Sequence, residues 1–376
     1  MRHLELGVFA PTVGCMPPAA SRSFCLVSSA EQRTDITFDY NRQVAELLDR
    51  AGLELFFMAQ RMGEGFGPSR FWGTALDSFT TASALAVATR RLKIVSTVHT
   101  ALFHPGIVAR IGATLDQISA GRWGLNIVSG WSKKDFDMLG VPLREHAERY
   151  RMSAEFIEVL KKFWTEERFD YAGQFFTIRH GVCEPKPLTH PHPPLYNAGS
   201  SPAGRDLTAR YCDYYFTSGP TPQQVKAEVD DIRARAAAYG RQVRCVTYVF
   251  LMCRDTAAQI RRETEEIYAR ADYAGAREFV EGLSGQTLGT LRSALGEGSV
   301  EELVRRTVLG VGSPITGTPD QVADGLQHLY EAGVDGVLFT FRHVREELEA
   351  FIEQVLPRLE RRGVRQPYQG ERHAHH

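Results

Sequence analysis

The 376-residue chain is poor in several features that would each point to a function. Its six cysteines form no CxxC pair, and Cys183, Cys212, Cys245 and Cys253 lie in or beside apolar runs, where buried thiols are normal. That excludes a disulfide framework and points to a reducing cytoplasm. No apolar run approaches the roughly 18–20 residues that span a bilayer. Met1–Pro11 lacks the charged-then-apolar layout of a secretion signal. The formal net charge of −1 offers no basic field for nucleic acid or anionic lipid. No GxGxxG follows the first strand, and GxxxxGK[ST], HExxH and GxSxG are absent. The one HxH spacing, His190-Pro191-His192, sits in a Pro-rich loop without a nearby carboxylate and reads as solvated, so no metal is expected.

What is present is an alternation of short apolar runs and amphipathic stretches, 43% of the chain being hydrophobic. Strands are predicted at 4–10, 53–59, 92–97, 123–129, 195–198, 214–217, 243–252 and 336–341. Helical spacing marks 40–51 (stopped by Gly52), 77–89, 105–119 and 148–165. About eight strands separated by helices imply right-handed βαβ units closing into an α/β TIM (β/α)8 barrel, with an open doubly wound sheet as competitor. Residues 1–360 are expected as one domain and 361–376 as a disordered tail. Two stretches break the rhythm, about 12–35 and about 270–314. Both are expected as insertions on the catalytic face, where they serve as lids or as solvated loops.

Polar residues cluster at predicted strand ends. Thr97 and His99 face one way by the period of two, and Asn126 interrupts an apolar strand shortly before Trp131. A buried amide needs a partner or costs a few kcal/mol. A core Asn satisfied by backbone is the alternative. Gly199-Ser200-Ser201 joins a strand end to a helix start, which suits a phosphate as well as an ordinary N-cap. Arg149 and Tyr150, near the start of a long helix, could pair with a phosphate and stack on a ring. No nucleophile accompanies them, so a cofactor is left to carry the chemistry.

These segments resemble the bacterial-luciferase-like flavin monooxygenases, in the branch holding the dimethylsulfone and pyrimidine-ring-opening enzymes. The resemblance rests on Glu31-Gln32-Arg33-Thr34, Asp39-Tyr40-Asn41, Gly121-Arg122-Trp123-Gly124-Leu125-Asn126-Ile127-Val128-Ser129-Gly130-Trp131, His146-Ala147-Glu148-Arg149-Tyr150, Pro185-Lys186-Pro187, Ala198-Gly199-Ser200-Ser201 and Gly317-Thr318-Pro319. It implies a barrel with insertions, reduced FMN (FMNH2) and O2, and an NAD(P)H-dependent flavin reductase as partner. It also implies oxygenation of a small organic substrate with cleavage of a carbon–sulfur or carbon–nitrogen bond, and a homo-oligomer, dimer or tetramer. Carried over by position, Asn126, Asp135, Arg149, Tyr150 and Ser201 are expected at FMN, joined by Gly199 and Ser200 of the phosphate turn. Thr97 and Asn126 are expected at the oxygen site, and His99 and Trp131 beside the substrate. Alkanesulfonate enzymes carry an Arg and a His in the strand matching Tyr248–Cys253. Here that strand is apolar, and Arg342 and His343 are expected to supply a different polar rim on the substrate side. A deazaflavin-dependent dehydrogenase and a non-catalytic flavin-binding protein remain as alternatives on the same fold.

Overall fold

Eight parallel strands close on themselves in the computed structural model, which describes residues 3–15, 26–284, 297–310 and 313–368. They are β1 (Glu5–Phe9), β2 (Leu55–Phe57), β3 (Lys93–His99), β4 (Trp123–Val128), β5 (Leu195–Asn197), β6 (Tyr214–Phe216), β7 (Arg244–Cys253) and β8 (Gly336–Thr340). Each pairs with the next, and β8 pairs with β1, giving a closed (β/α)8 barrel. The eight strands predicted from apolar runs are the eight that form it.

The helices end where the local chemistry says they should. α1 (Phe38–Ala51) stops at Gly52, whose φ of 74° suits a residue without a side chain. Asp77 caps α2 (Ser78–Ala88) by accepting from Thr80 N at 2.8 Å. Pro105 opens α3 (Pro105–Ser119) at a position where its missing N–H does no harm. α4 (His146–Thr165) follows β4, and α5 (Pro202–Tyr211) follows β5. Among the described residues no helix is long and apolar enough to cross a membrane.

Within the two insertions, 16–25, 285–296 and 311–312 lie outside the described residues. Their described parts pack on each other. Leu26, Val27 and Ala30 are buried, Ser28 Oγ donates to Ile267 O at 2.8 Å, and Asp272 N donates to Val27 O at 2.9 Å. The second insertion carries α6 (Tyr273–Ser284) and α7 (Glu297–Val308). It ends in a strand, Ser313–Gly317, that extends the sheet along the outer half of β7. No strand was expected there, because Pro and Gly in a five-residue run depress the signal and are tolerated only at an edge. Of the expected disordered tail, 369–376 lies outside the described residues; Leu356–Arg361 is helical, and Val364 and Arg365 are buried.

Candidate functional site at the barrel mouth

Side chains fill the barrel in layers. At the N-terminal end Glu5 bridges Lys93 (2.7 Å) and Arg244 (3.0 Å). Above it Tyr196 stacks on Tyr214 at 4.2 Å, and Phe9, Phe57, Phe216 and Tyr248 form an aromatic layer, with Phe9 4.9 Å from Tyr248. That layer lines part of a cavity of about 410 Å³ at the C-terminal ends of the strands. The size falls within the roughly 300–1,000 Å³ of small-molecule sites, and the location is where barrel active sites are built.

β3 and β4 bring the polar residues of the floor together. Thr97 and Asn126 are register partners. Asn126 Nδ2 donates to Thr97 Oγ1 at 3.1 Å, and Thr97 Oγ1 donates to Met58 O at 2.6 Å. Asn126 Oδ1 is buried without a partner. One turn of the pleat further on, His99 is 1% exposed, with ring Nε2 3.2 Å from Gln60 O and Nδ1 unpartnered. Burial pushes the His99 pKa below its usual value, so the imidazole is neutral.

The opposite wall is the β5–α5 turn. Asn197 Oδ1 accepts from Gly199 N at 2.8 Å and from Thr208 Oγ1 at 3.0 Å, which folds the turn against its helix. A side chain on Gly199 would meet Gly204 Cα and Tyr150 Oη, both at 2.9 Å, so only glycine allows this approach. Ser201 caps α5 by accepting from Gly204 N at 3.2 Å. Gly199, Ser200 and Ser201 line the cavity at a helix N-terminus, beside Arg149 and Tyr150 from α4. Arg149 donates through Nη1 to Gly130 O and keeps a buried Nε without a partner.

A third wall is aromatic. Trp72 and Trp131 line the cavity and pack with Phe66, Phe71 and Phe279. Gly282, Leu283 and Ser284 from the end of α6 also line it, so the second insertion contributes to the site. Behind this wall the Arg61 guanidinium lies 5.0 Å from the ring centres of both Phe66 and Trp131.

Of the residues singled out by sequence, Thr97, His99, Asn126, Trp131, Arg149, Tyr150, Gly199, Ser200 and Ser201 therefore meet at one cavity. Asp135 does not line it. It is fully buried behind the wall, where it accepts from Gly63 N (3.0 Å) and Ser132 Oγ (3.0 Å) and pairs with Arg61. Arg342 and His343, expected on the substrate side, do not line this cavity and stand at a separate pocket. Arg342, just past the barrel's last strand, ties the helix Ala257–Ala269 to the first insertion: it donates to Glu31 O at 2.7 Å and pairs with Glu266 at 2.9 Å and Glu263 at 3.5 Å. His343 Nδ1 accepts from Arg33 N at 2.9 Å. Trp72 lines the cavity without having been singled out; Ala59 and Gln60, which fall where the family resemblance implies a further flavin contact, line it as well, at a strand end like Thr97.

Three comparisons bear on the chain. The profile of the luciferase-like monooxygenase family matches residues 4–336. An FMNH(2)-dependent dimethylsulfone monooxygenase of Pseudomonas putida is 39% identical over 338 residues, 88% of this chain and 91% of that protein. Its counterpart in Pseudomonas fluorescens (strain Pf0-1) is 37% identical over 337 residues, 88% of this chain and 90% of that protein. Among solved structures, a riboflavin lyase with modified FMN and riboflavin superposes with a TM-score of 0.85 at 25% identity, covering 98% of this chain and 94% of that one.

Proposed function

The chain belongs to the luciferase-like monooxygenase family, and from that premise we propose how its cavity serves a flavin-dependent monooxygenase. The enzyme uses reduced FMN and O2, and a separate flavin reductase supplies the reduced FMN. The residues present fit that cofactor. Ser200 and Ser201 at the N-terminus of α5, with the Arg149 guanidinium, would hold the phosphate, because a helix N-terminus and a cation both favour an anion. Tyr150 and the aromatic layer offer apolar faces to the ring. Asn126 Oδ1 and His99 Nδ1 are buried acceptors that lack hydrogens to accept, and a reduced flavin ring carries N–H groups. When bound, reduced FMN supplies the two electrons with which O2 delivers one atom to substrate and one to water.

The protein's part is to bind, orient and exclude water. Thr97 and Asn126 fix dipoles beside the reacting centre before the substrate arrives. Trp72, Trp131 and α6 close the side of the cavity against bulk solvent. Trp131 faces the substrate. That substrate is a small polar molecule whose carbon–sulfur or carbon–nitrogen bond is cleaved, a sulfone being the first choice. One observation carries this reading: a single cavity joins the Gly199–Ser201 turn, at a helix N-terminus, to a buried polar floor, in a chain 39% identical to a dimethylsulfone enzyme. The test is to load the protein anaerobically with reduced FMN, admit O2, and screen sulfones, sulfonates and nitrogen heterocycles for oxygenated product. Product from a sulfone is the expected result; O2-dependent flavin oxidation with no product from any of the three classes refutes the substrate assignment.

A further inference from the structure

Two backbone carbonyls decide the polarity of the cavity floor. Met58 and Gln60 lie just beyond β2, and each receives a polar group of β3: Thr97 Oγ1 at 2.6 Å and His99 Nε2 at 3.2 Å. A carbonyl oxygen can only accept. Thr97 thus gives its one hydrogen to Met58 and shows only lone pairs to Asn126. The Asn126 amide must turn its nitrogen toward Thr97, at 3.1 Å, and its oxygen is left without a partner. By the same reasoning the neutral His99 ring carries its hydrogen on Nε2 and leaves Nδ1 bare. Gln60 is itself anchored, because its Oε1 accepts from Ser78 N at 2.9 Å at the start of α2.

Neither group can change polarity cheaply. An amide flip would set Asn126 Oδ1 against the lone pairs of Thr97, and a tautomer change would set a His99 lone pair against the Gln60 carbonyl. Either leaves a buried group unpaired, which is unfavourable. The floor of the cavity is locked as an acceptor surface.

Resting on the reduced-FMN reading above, we propose that the fixed acceptors Asn126 Oδ1 and His99 Nδ1 make this site select reduced over oxidised flavin. Reduction places a hydrogen on ring nitrogen N5, where the oxidised ring presents a lone pair. A locked acceptor pairs with the first and repels the second, whereas an amide free to flip would serve both. A site of this polarity captures reduced FMN from solution and releases the oxidised form.

The experiment measures dissociation constants for oxidised FMN and, anaerobically, for reduced FMN, in wild type and in Thr97→Val, Thr97→Ser, His99→Phe and Arg149→Ala. Wild type should bind reduced FMN at least about tenfold more tightly. Thr97→Val frees the Asn126 amide and His99→Phe removes an acceptor, so each should lower that preference by up to about tenfold. Thr97→Ser restores the hydroxyl and should restore the preference, which a purely structural role of Thr97 would not require. Arg149→Ala should weaken both forms alike, since the phosphate is common to them. Equal binding of the two forms by wild type, or a preference unchanged in both Thr97→Val and His99→Phe, overturns the proposal and leaves the flavin assignment standing. Failure of wild type to bind either form overturns both.

Discussion

Arg61 and Asp135 form an ion pair with both side chains buried: Nη1 lies 2.9 Å from Oδ1, and the two side chains are 1% and 0% exposed. The N–H is not aligned as a hydrogen bond. The other Arg61 donors reach Trp72 O at 3.1 Å and Glu64 O at 3.2 Å. Burial pulls the guanidinium pKa below its usual value while the Asp135 charge opposes that shift. The pair therefore braces the back of the aromatic wall without touching the cavity.

Asp135→Ala should leave a buried cation unpaired and destabilise the fold by about 3–5 kcal/mol. Urea unfolding measures this as a lower midpoint. A variant with the wild-type midpoint would show that the Arg61 charge is compensated elsewhere.

Arg149→Ala should weaken FMN binding by about tenfold, roughly 1.4 kcal/mol. Fluorescence titration checks it. Unchanged affinity would mean that the phosphate is held by the Ser200–Ser201 turn alone.

Arg342→Ala removes contacts to Glu31 O, Glu263 and Glu266 but none to the cavity. Stability should fall by about 1–3 kcal/mol with reduced-FMN affinity unchanged. A loss of affinity in a stably folded variant would return Arg342 to the site.

Stability should also depend on pH through His99. Burial lowers its folded pKa beneath the unfolded value of about 6.5. Above that pH neither state binds the proton, and the fold is not penalised. Below it the unfolded chain takes up a proton that the folded chain excludes, so stability declines as pH falls, by at most about 1.4 kcal/mol per unit. Asp135 opposes this shift and Arg61 adds to it. His192 and His343 have lowered values too, so the informative quantity is the difference between wild type and His99→Phe. The variant should lose less stability between about pH 7 and pH 5. Equal losses in both proteins would assign the dependence to the other histidines.

The barrel was legible because each strand is a short apolar run and each helix carries a stop such as Gly52 or a start such as Pro105. Thr97, His99 and Asn126 were legible because strand periodicity puts all three on the inner face at one end. Polarity was not: that Asn126 donates to Thr97 and leaves its oxygen free follows from the Met58 carbonyl, 39 residues away from Thr97 in sequence. That Asp135 and Arg342 do not line the cavity was hidden for a related reason. A charged residue in a loop near a strand end looks the same in sequence whether it faces a ligand or a partner such as Arg61 or Glu266, and only the fold brings those partners into contact.

In the proposed function the buried floor around Asn126 couples flavin oxidation to oxygen transfer. The most direct test of this coupling is a single-turnover experiment with reduced FMN, O2 and the best substrate from the screen, in wild type and Asn126→Ala. Oxygenated product per flavin oxidised and melting temperature are read on the same preparations. Asn126→Ala should keep a melting temperature close to that of wild type and oxidise flavin while forming product about 100-fold less efficiently, the loss typical of one preorganised dipole. A variant with a lowered melting temperature that still forms product at the wild-type ratio would make Asn126 a packing residue and contradict the account.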